Sequence, residues 1–241
     1  MAPVRSSSIV PGSGTKARSI QNAPGTRPEI AEVVRRFADV LFLVDTVSSM
    51  AAVQLDLDRW GVDVCFAGTQ KAWGLPPGLS LCAVSERALH RSGQASGRGY
   101  YFDWRRHAHA LERWQTPATP AISLLFQLES ALDRIEREGP QVRYRRHREL
   151  QEEVLGWAAR RGLRVLAREG YRSPTLTALF LSPGEALPVI AGMRRRGWAL
   201  ASGYGRFRED MIRIGHMGEL GRGRLREALA DLESALDQRP D

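Results

Sequence analysis

The sequence predicts an α/β fold, a partly parallel sheet with covering helices followed by a smaller α+β region. Three observations carry this. Short apolar runs at residues 40–44, 62–66 and 79–84 end at or near polar residues. Long helical periodicities fill the middle of the chain, and the last third alternates strand-like and helix-like segments. A continuous apolar run suits a strand covered on both faces, and polar groups beyond strand ends place a site at the carboxyl edge of the sheet.

The elements follow in order. Residues 1–27 are rich in Pro, Gly and Ser, hold no acidic residue and show no sustained period, so they read as an irregular arm. No apolar core of a secretory signal stands there. Order begins near Thr26-Arg27-Pro28, where Ile30, Val33, Val34 and Phe37 recur at helical spacing. The run 40–44 is a strand ending at Asp45, Val62, Val64 and Phe66 form a second, and 79–84 a third. An aromatic, polar stretch (Tyr100, Tyr101, Trp104, Trp114) reads as loop. Ile122, Leu125, Leu128, Leu132 and Ile135 mark a helix over 120–138, and a second covers 144–161. Strand 175–181, helix 186–196, strand 211–214 and helix 225–236 complete the α+β region. No internal repeat is present.

Composition narrows the function classes. The net charge is +8, with 43% hydrophobic and 26% charged residues. That is an ordinary globular balance with enough apolar material for a core. The basic residues are spread along the chain, and the denser groups, Arg143 to Arg148 and Arg194-Arg195-Arg196, read as surface helix faces. No nucleic-acid motif accompanies them. No apolar run reaches the ~18–20 residues of a membrane span. Cys65 and Cys82 lie in strand-like runs and read as buried, reduced thiols of a cytoplasmic protein. The five histidines show no metal-ligand spacing.

One residue type stands apart. Of 35 basic residues only Lys16 and Lys71 are lysine, all others being arginine. Lys71 sits in a turn framed by Gly68, Gly74, Pro76, Pro77 and Gly78, just beyond a strand. Arginine matches lysine for charge, but only lysine carries a primary amine able to form a Schiff base. Asp45 and Arg213 also stand at strand ends. A lysine amine, a carboxylate to keep a pyridine nitrogen protonated, and a planar cation for a substrate carboxylate make up an amino-acid-handling cofactor site.

The strings around these residues resemble the class V pyridoxal-phosphate aminotransferases, in particular the alanine–glyoxylate and serine–glyoxylate group. Leu43-Val44-Asp45-Thr46-Val47-Ser48-Ser49 is similar to the family segment bearing the pyridine-nitrogen aspartate. Asp58-Arg59-Trp60-Gly61-Val62-Asp63 resembles the approach to the cofactor strand, and Gly68-Thr69-Gln70-Lys71 through Pro76-Pro77-Gly78-Leu79 the Schiff-base segment. Trp114-Gln115-Thr116-Pro117-Ala118-Thr119-Pro120 resembles the loop that reaches a partner subunit's cofactor phosphate. Arg213-Ile214-Gly215-His216-Met217-Gly218 resembles the strand with the substrate-carboxylate arginine. The matches run in order from Pro28 to Leu236.

The resemblance implies a type I pyridoxal-phosphate transferase fold, with residues 28–138 the C-terminal half of the large domain and 139–241 the small domain. It implies pyridoxal 5'-phosphate as cofactor, a homodimer, and small amino-acid and 2-oxo-acid substrates. Lys71 is the expected Schiff-base lysine and proton carrier, and Asp45 the pyridine partner. Val47 is expected against the ring, with Thr69, Gln70, Thr116 and Thr119 at the phosphate and Arg213 on the substrate carboxylate. The reaction implied is ping-pong amino transfer from alanine or serine to an acceptor such as glyoxylate. Gln70 stands where the related cysteine desulfurases place histidine, and neither cysteine lies in a loop, which disfavours that branch. The family's N-terminal stretch, with its ring-stacking aromatic and glycine-rich phosphate loop, has no counterpart before Pro28. Gly12-Ser13-Gly14-Thr15 is similar to that loop but too close to Pro28, and Asn22 to Thr26 poorly matches the family's Ser-Thr-Gly segment. A catalytically inactive, truncated form is the alternative expectation.

Overall fold

Residues 17–21 and 28–238 are described by a computed structural model of the chain. It forms two compact units. The first comprises residues up to Met50, Leu55–Lys71 and Leu75–Arg134; the second comprises Ala51–Gln54, Ala72–Gly74 and the chain from Ile135. The division falls inside a helix a few residues before 138/139.

The first unit is built on a four-stranded sheet of β1 (Ala17–Gln21), β2 (Leu41–Asp45), β3 (Val64–Gly68) and β4 (Ser80–Val84), paired in that order. The first three strands are parallel and β4 returns antiparallel to β3. Strand β1 lies inside the stretch expected to be an irregular arm, whose isolated five residues carry no period long enough to read. The rest of that stretch, 1–16 and 22–27, falls outside the described residues, as do the glycine-rich string and Asn22 to Thr26.

Helix α1 (Pro28–Arg35) begins at Pro28, whose fixed φ suits a first turn. Its Ala31 packs on Phe42 and Val44 of β2, with Ile30, Val34, Trp60 and Val62 at the margin. Short helix α2 (Leu57–Trp60) ends at Gly61 in the left-handed region, φ 66°, which a glycine accepts without strain. Two helices occupy sequence read as loop or left unassigned. In α3 (Glu86–Gln94) the Ser85 hydroxyl accepts from the Ala88 N–H at 3.1 Å. In α4 (Trp104–Leu111) the Asp103 carboxylate accepts from the Arg105 N–H at 3.1 Å. Each buries one alanine, Ala88 or Ala110, so end-capping defines them and no apolar stripe marks them. Helix α5 (Ile122–Glu138) follows.

Cys82 departs from expectation. Cys65 is buried in β3, but β4 ends the strand order and leaves Cys82 and Ala83 exposed.

The second unit packs helices on a three-stranded antiparallel sheet ordered β5 (Leu176–Phe180), β7 (Met211–Gly215), β6 (Ala201–Ser202). Helices α6 (Pro140–Arg160), α7 (Ala186–Arg195) and α8 (Arg222–Asp237) cover it. Leu150, Val154, Trp157, Leu179, Met193, Ile212, Leu225 and Leu232 form its core. The buried face of α6 reads Arg143, His147, Leu150, Val154, Trp157, a helical stripe whose first two positions are polar. Arg143, expected on a surface face, is therefore buried. Among the described residues no helix is long and apolar enough to cross a membrane, and no cluster of metal-ligating side chains occurs.

Asp63 ties the first unit together. It is 4% exposed and accepts from the Phe42 N–H (2.8 Å), the Ser85 hydroxyl (2.9 Å) and Arg87 Nε (2.9 Å). Burial alone would raise its pKa, but the bonds from Arg87, Phe42 and Ser85 hold the carboxyl below its ordinary value. Asp63→Ala strands the Phe42 N–H and frees the α3 cap, and we expect a loss of about 2 kcal/mol in urea unfolding; an unchanged midpoint refutes this role.

Candidate active site

Parallel pairing brings the carboxyl ends of β2 and β3 to one edge of the sheet. Asp45, the last residue of β2, lies opposite Phe66. The chain then turns back tightly. Thr46 donates through its N–H (3.0 Å) and hydroxyl (2.8 Å) to the Phe66 carbonyl, and the Met50 N–H donates to the Thr46 carbonyl at 2.9 Å. The Val47 N–H donates to Asp45 Oδ1 at 2.9 Å. Among the described residues the other carboxylate oxygen of Asp45 meets no donor. Val47 is half-buried in the same turn.

Lys71 lies three residues beyond the end of β3, at the same edge. Its turn is closed by backbone bonds from the Thr69 N–H to the Leu79 carbonyl (3.2 Å) and from the Leu75 N–H to the Thr69 carbonyl (3.1 Å). The turn passes through Gly78 at φ 141°, where a Cβ would stand 2.4 Å from Leu124 Cδ1. Thr69 is buried, and its hydroxyl donates to the Pro76 carbonyl at 2.8 Å. That hydrogen bond helps close the turn. Gln70 is exposed, its amide folded over Gly68. Lys71 is half-buried, and its amine has no hydrogen-bond or ion-pair partner among the described residues.

The other expected site residues come from other segments of the chain. Thr116 and Thr119 are exposed in the segment before α5, and the Thr116 hydroxyl donates to the Ala118 carbonyl at 2.7 Å. Arg213 belongs to the second unit. Its Nε donates to the Ser202 carbonyl at 2.7 Å and its guanidinium lies 4.0 Å from the centre of the Tyr204 ring. No carboxylate among the described residues pairs with it, so it is available to an anion. The lysine, the aspartate and the valine are thus gathered at one sheet edge.

Sequence reading passed over a set of fully buried polar residues in the second unit. His147 Nδ1 bonds the Arg143 carbonyl at 2.8 Å, and His216 Nε2 bonds Thr177 Oγ1 at 2.9 Å. Among the described residues His147 Nε2 and His216 Nδ1 meet no partner at normal hydrogen-bond geometry. The α6 periodicity, extended backwards from Trp157, was the signal for Arg143 and His147. Burial pushes both histidines down to about 4 from 6.5. The unfolded chain therefore binds protons near pH 6.5 that the folded chain refuses until about pH 4. Stability is full above about pH 7 and is lost as pH falls from 6.5 to 4, by up to about 3 kcal/mol per histidine. Urea unfolding at pH 7, 5.5 and 4.5 checks this, and His216→Asn is expected to flatten the slope.

Comparison with known proteins gives the family. The model of the family Aminotransferase class-V matches residues 16–204. The chain is 34% identical over 204 residues to the serine–glyoxylate aminotransferase of Methylorubrum extorquens, covering 81% of this chain and 51% of the relative. It is also 31% identical over 204 residues to the soluble hydrogenase small subunit of a Synechococcus strain, covering 84% and 53%. The solved alanine–glyoxylate aminotransferase of Nostoc sp. superposes with a TM-score of 0.82 at 26% identity, covering 91% of this chain and 61% of that one. The chain belongs to the class V aminotransferases, and its fold is that of the type I pyridoxal-phosphate transferases. It spans about half the length of the curated relatives it matches.

Proposed function

We propose that this chain acts in pyridoxal-phosphate-dependent amino transfer, moving the amino group of a small amino acid such as alanine or serine to a 2-oxo acid such as glyoxylate. The observation that carries the reading is the pairing at one sheet edge of an unpartnered lysine amine with a carboxylate that keeps one oxygen free. That donor set fits the cofactor. When bound, pyridoxal phosphate supplies an aldehyde for a lysine amine and a protonated pyridine that takes up electron density.

Lys71 Nζ would hold the cofactor and, when free, would carry a proton away from the substrate α-carbon as base and return it as acid. Asp45, pinned through Oδ1 by the Val47 N–H, would keep the ring nitrogen protonated. Val47 would lie against the ring. Arg213 binds the substrate carboxylate, its orientation held by the Ser202 carbonyl and the Tyr204 ring. Gln70 serves the phosphate, joined by the exposed Thr116 and Thr119 of a second copy in a homodimer. Thr69 serves it by supporting the turn that carries Gln70 and Lys71.

A second reading, a catalytically inactive form, rests on the exposure of Cys82 and Ala83 at the open edge of β4. One experiment separates the two. Purified protein with pyridoxal phosphate is expected to develop a yellow absorbance that borohydride fixes as a mass adduct on Lys71. Lys71→Ala and Lys71→Arg abolish it equally, since charge is not the point. Asp45→Asn retains cofactor but slows turnover by at least about 100-fold. Arg213→Ala raises the KM for the amino acid by roughly 10–100-fold. No band, or adducts scattered elsewhere, refutes the catalytic reading.

A further inference from the structure

Arg143 has no exposed side-chain surface, and its guanidinium makes four hydrogen bonds. Nε donates to the Ala51 carbonyl at 2.9 Å, and Nη2 to the Ala72 carbonyl at 2.8 Å and to Glu219 at 3.0 Å. Nη1 donates to Glu138 at 2.7 Å. Arg146 buttresses this group, bonding Glu138 at 2.6 Å and the Gly218 and Leu220 carbonyls at 3.1 and 2.9 Å.

Burying a guanidinium costs several kcal/mol before its partners repay it, and an apolar residue would continue the α6 stripe without that cost. What the apolar residue would not do is hold two main-chain carbonyls. Those carbonyls have particular places. Ala72 directly follows Lys71, and Ala51 closes the turn that follows Asp45. Ala51 is also a non-glycine residue at φ 70°, a strained conformation that persists only when its surroundings enforce it. The short segments Ala51–Gln54 and Ala72–Gly74 cluster with the second unit, apart from the chain on either side of them. Arg143 is bonded to both.

We propose that Arg143 is a positioning residue for Lys71, clamping the carbonyl of the residue that follows the lysine and the end of the turn that follows Asp45. Its catalytic meaning rests on the aminotransferase reading above. The physical reason is leverage: one peptide separates the clamped carbonyl from the lysine Cα, and a misplacement of about 1 Å at a reacting group costs on the order of 100-fold in rate.

Hydrogen exchange on the wild-type protein tests the clamp without cofactor. The Leu75 N–H, which closes the lysine turn, and Arg143 Nε–H are expected to share one protection factor and one denaturant dependence. A Leu75 amide opening tenfold or more faster than the guanidinium means that the turn moves while the clamp is shut, and overturns the proposal. The variant Arg143→Lys keeps the charge but cannot bridge both carbonyls. In that variant we expect Leu75 exchange to rise at least tenfold, with β7 amides unchanged. The pH profile of the yellow absorbance of the cofactor-loaded protein is expected to shift, with cofactor affinity falling tenfold. A folded variant with wild-type pH profile and affinity also overturns it. If the variant does not fold, the wild-type exchange result decides. A wild-type protein that shows no Lys71 absorbance refutes the aminotransferase reading, while exchange still decides the clamp.

Discussion

The constraint on which the rest depends is the parallel pairing of β2 with β3. Parallel neighbours point their carboxyl ends the same way, so whatever follows each strand arrives at one edge. Asp45 and the Lys71 turn are the two continuations. The pairing is secured from within, by the Phe42–Val44 core against α1, and from below by Asp63, which ties β2, the start of β3 and the α3 cap. At the upper edge Thr46 repeats the device, spending both its N–H and its hydroxyl on the Phe66 carbonyl. The chemistry at this edge is thus held by main-chain bonds more than by packing.

Polar burial recurs in the second unit. A core of leucines, valines and methionines would suffice for cohesion, yet α6 opens its buried stripe with Arg143 and His147. Arg143 spends four of its five N–H groups, while His147 Nε2 and His216 Nδ1 meet no partner among the described residues, in an interior that keeps both rings neutral. Neutral imidazoles tolerate such a place, whereas a carboxylate would not.

Much of this was legible in the sequence because the signals were local. Continuous apolar runs marked β2, β3 and β4, and 3.6-residue periods marked α1, α5, α6, α7 and α8. The scarcity of lysine drew attention to Lys71, and the strand-end position drew it to Asp45. What escaped depended on partners far along the chain. Strand β1 is five residues whose only evidence is the strand beside it, and α3 and α4 are set by single caps with almost no buried face. Cys82 was read as buried because its strand is apolar, but position in the sheet decides burial and sequence does not state it. The hydrogen bond from the Thr69 hydroxyl to Pro76, seven residues on, was likewise not readable from the sequence. Arg143 was hidden among surface-like arginines, its partners at Ala51 and Ala72 roughly 70 to 90 positions away.

The isolation of Lys71 has a practical side. It supplies the lone lysine amine among the described residues, where the other basic side chains are arginine and histidine. Amine-selective reagents meet Lys71 as the one lysine among the described residues, with Lys16 the other lysine of the sequence. With so few lysines, peptide mapping assigns a fluorophore or crosslinker at Lys71 directly, and a label there would report on the lysine turn with no engineered cysteine and no substitution.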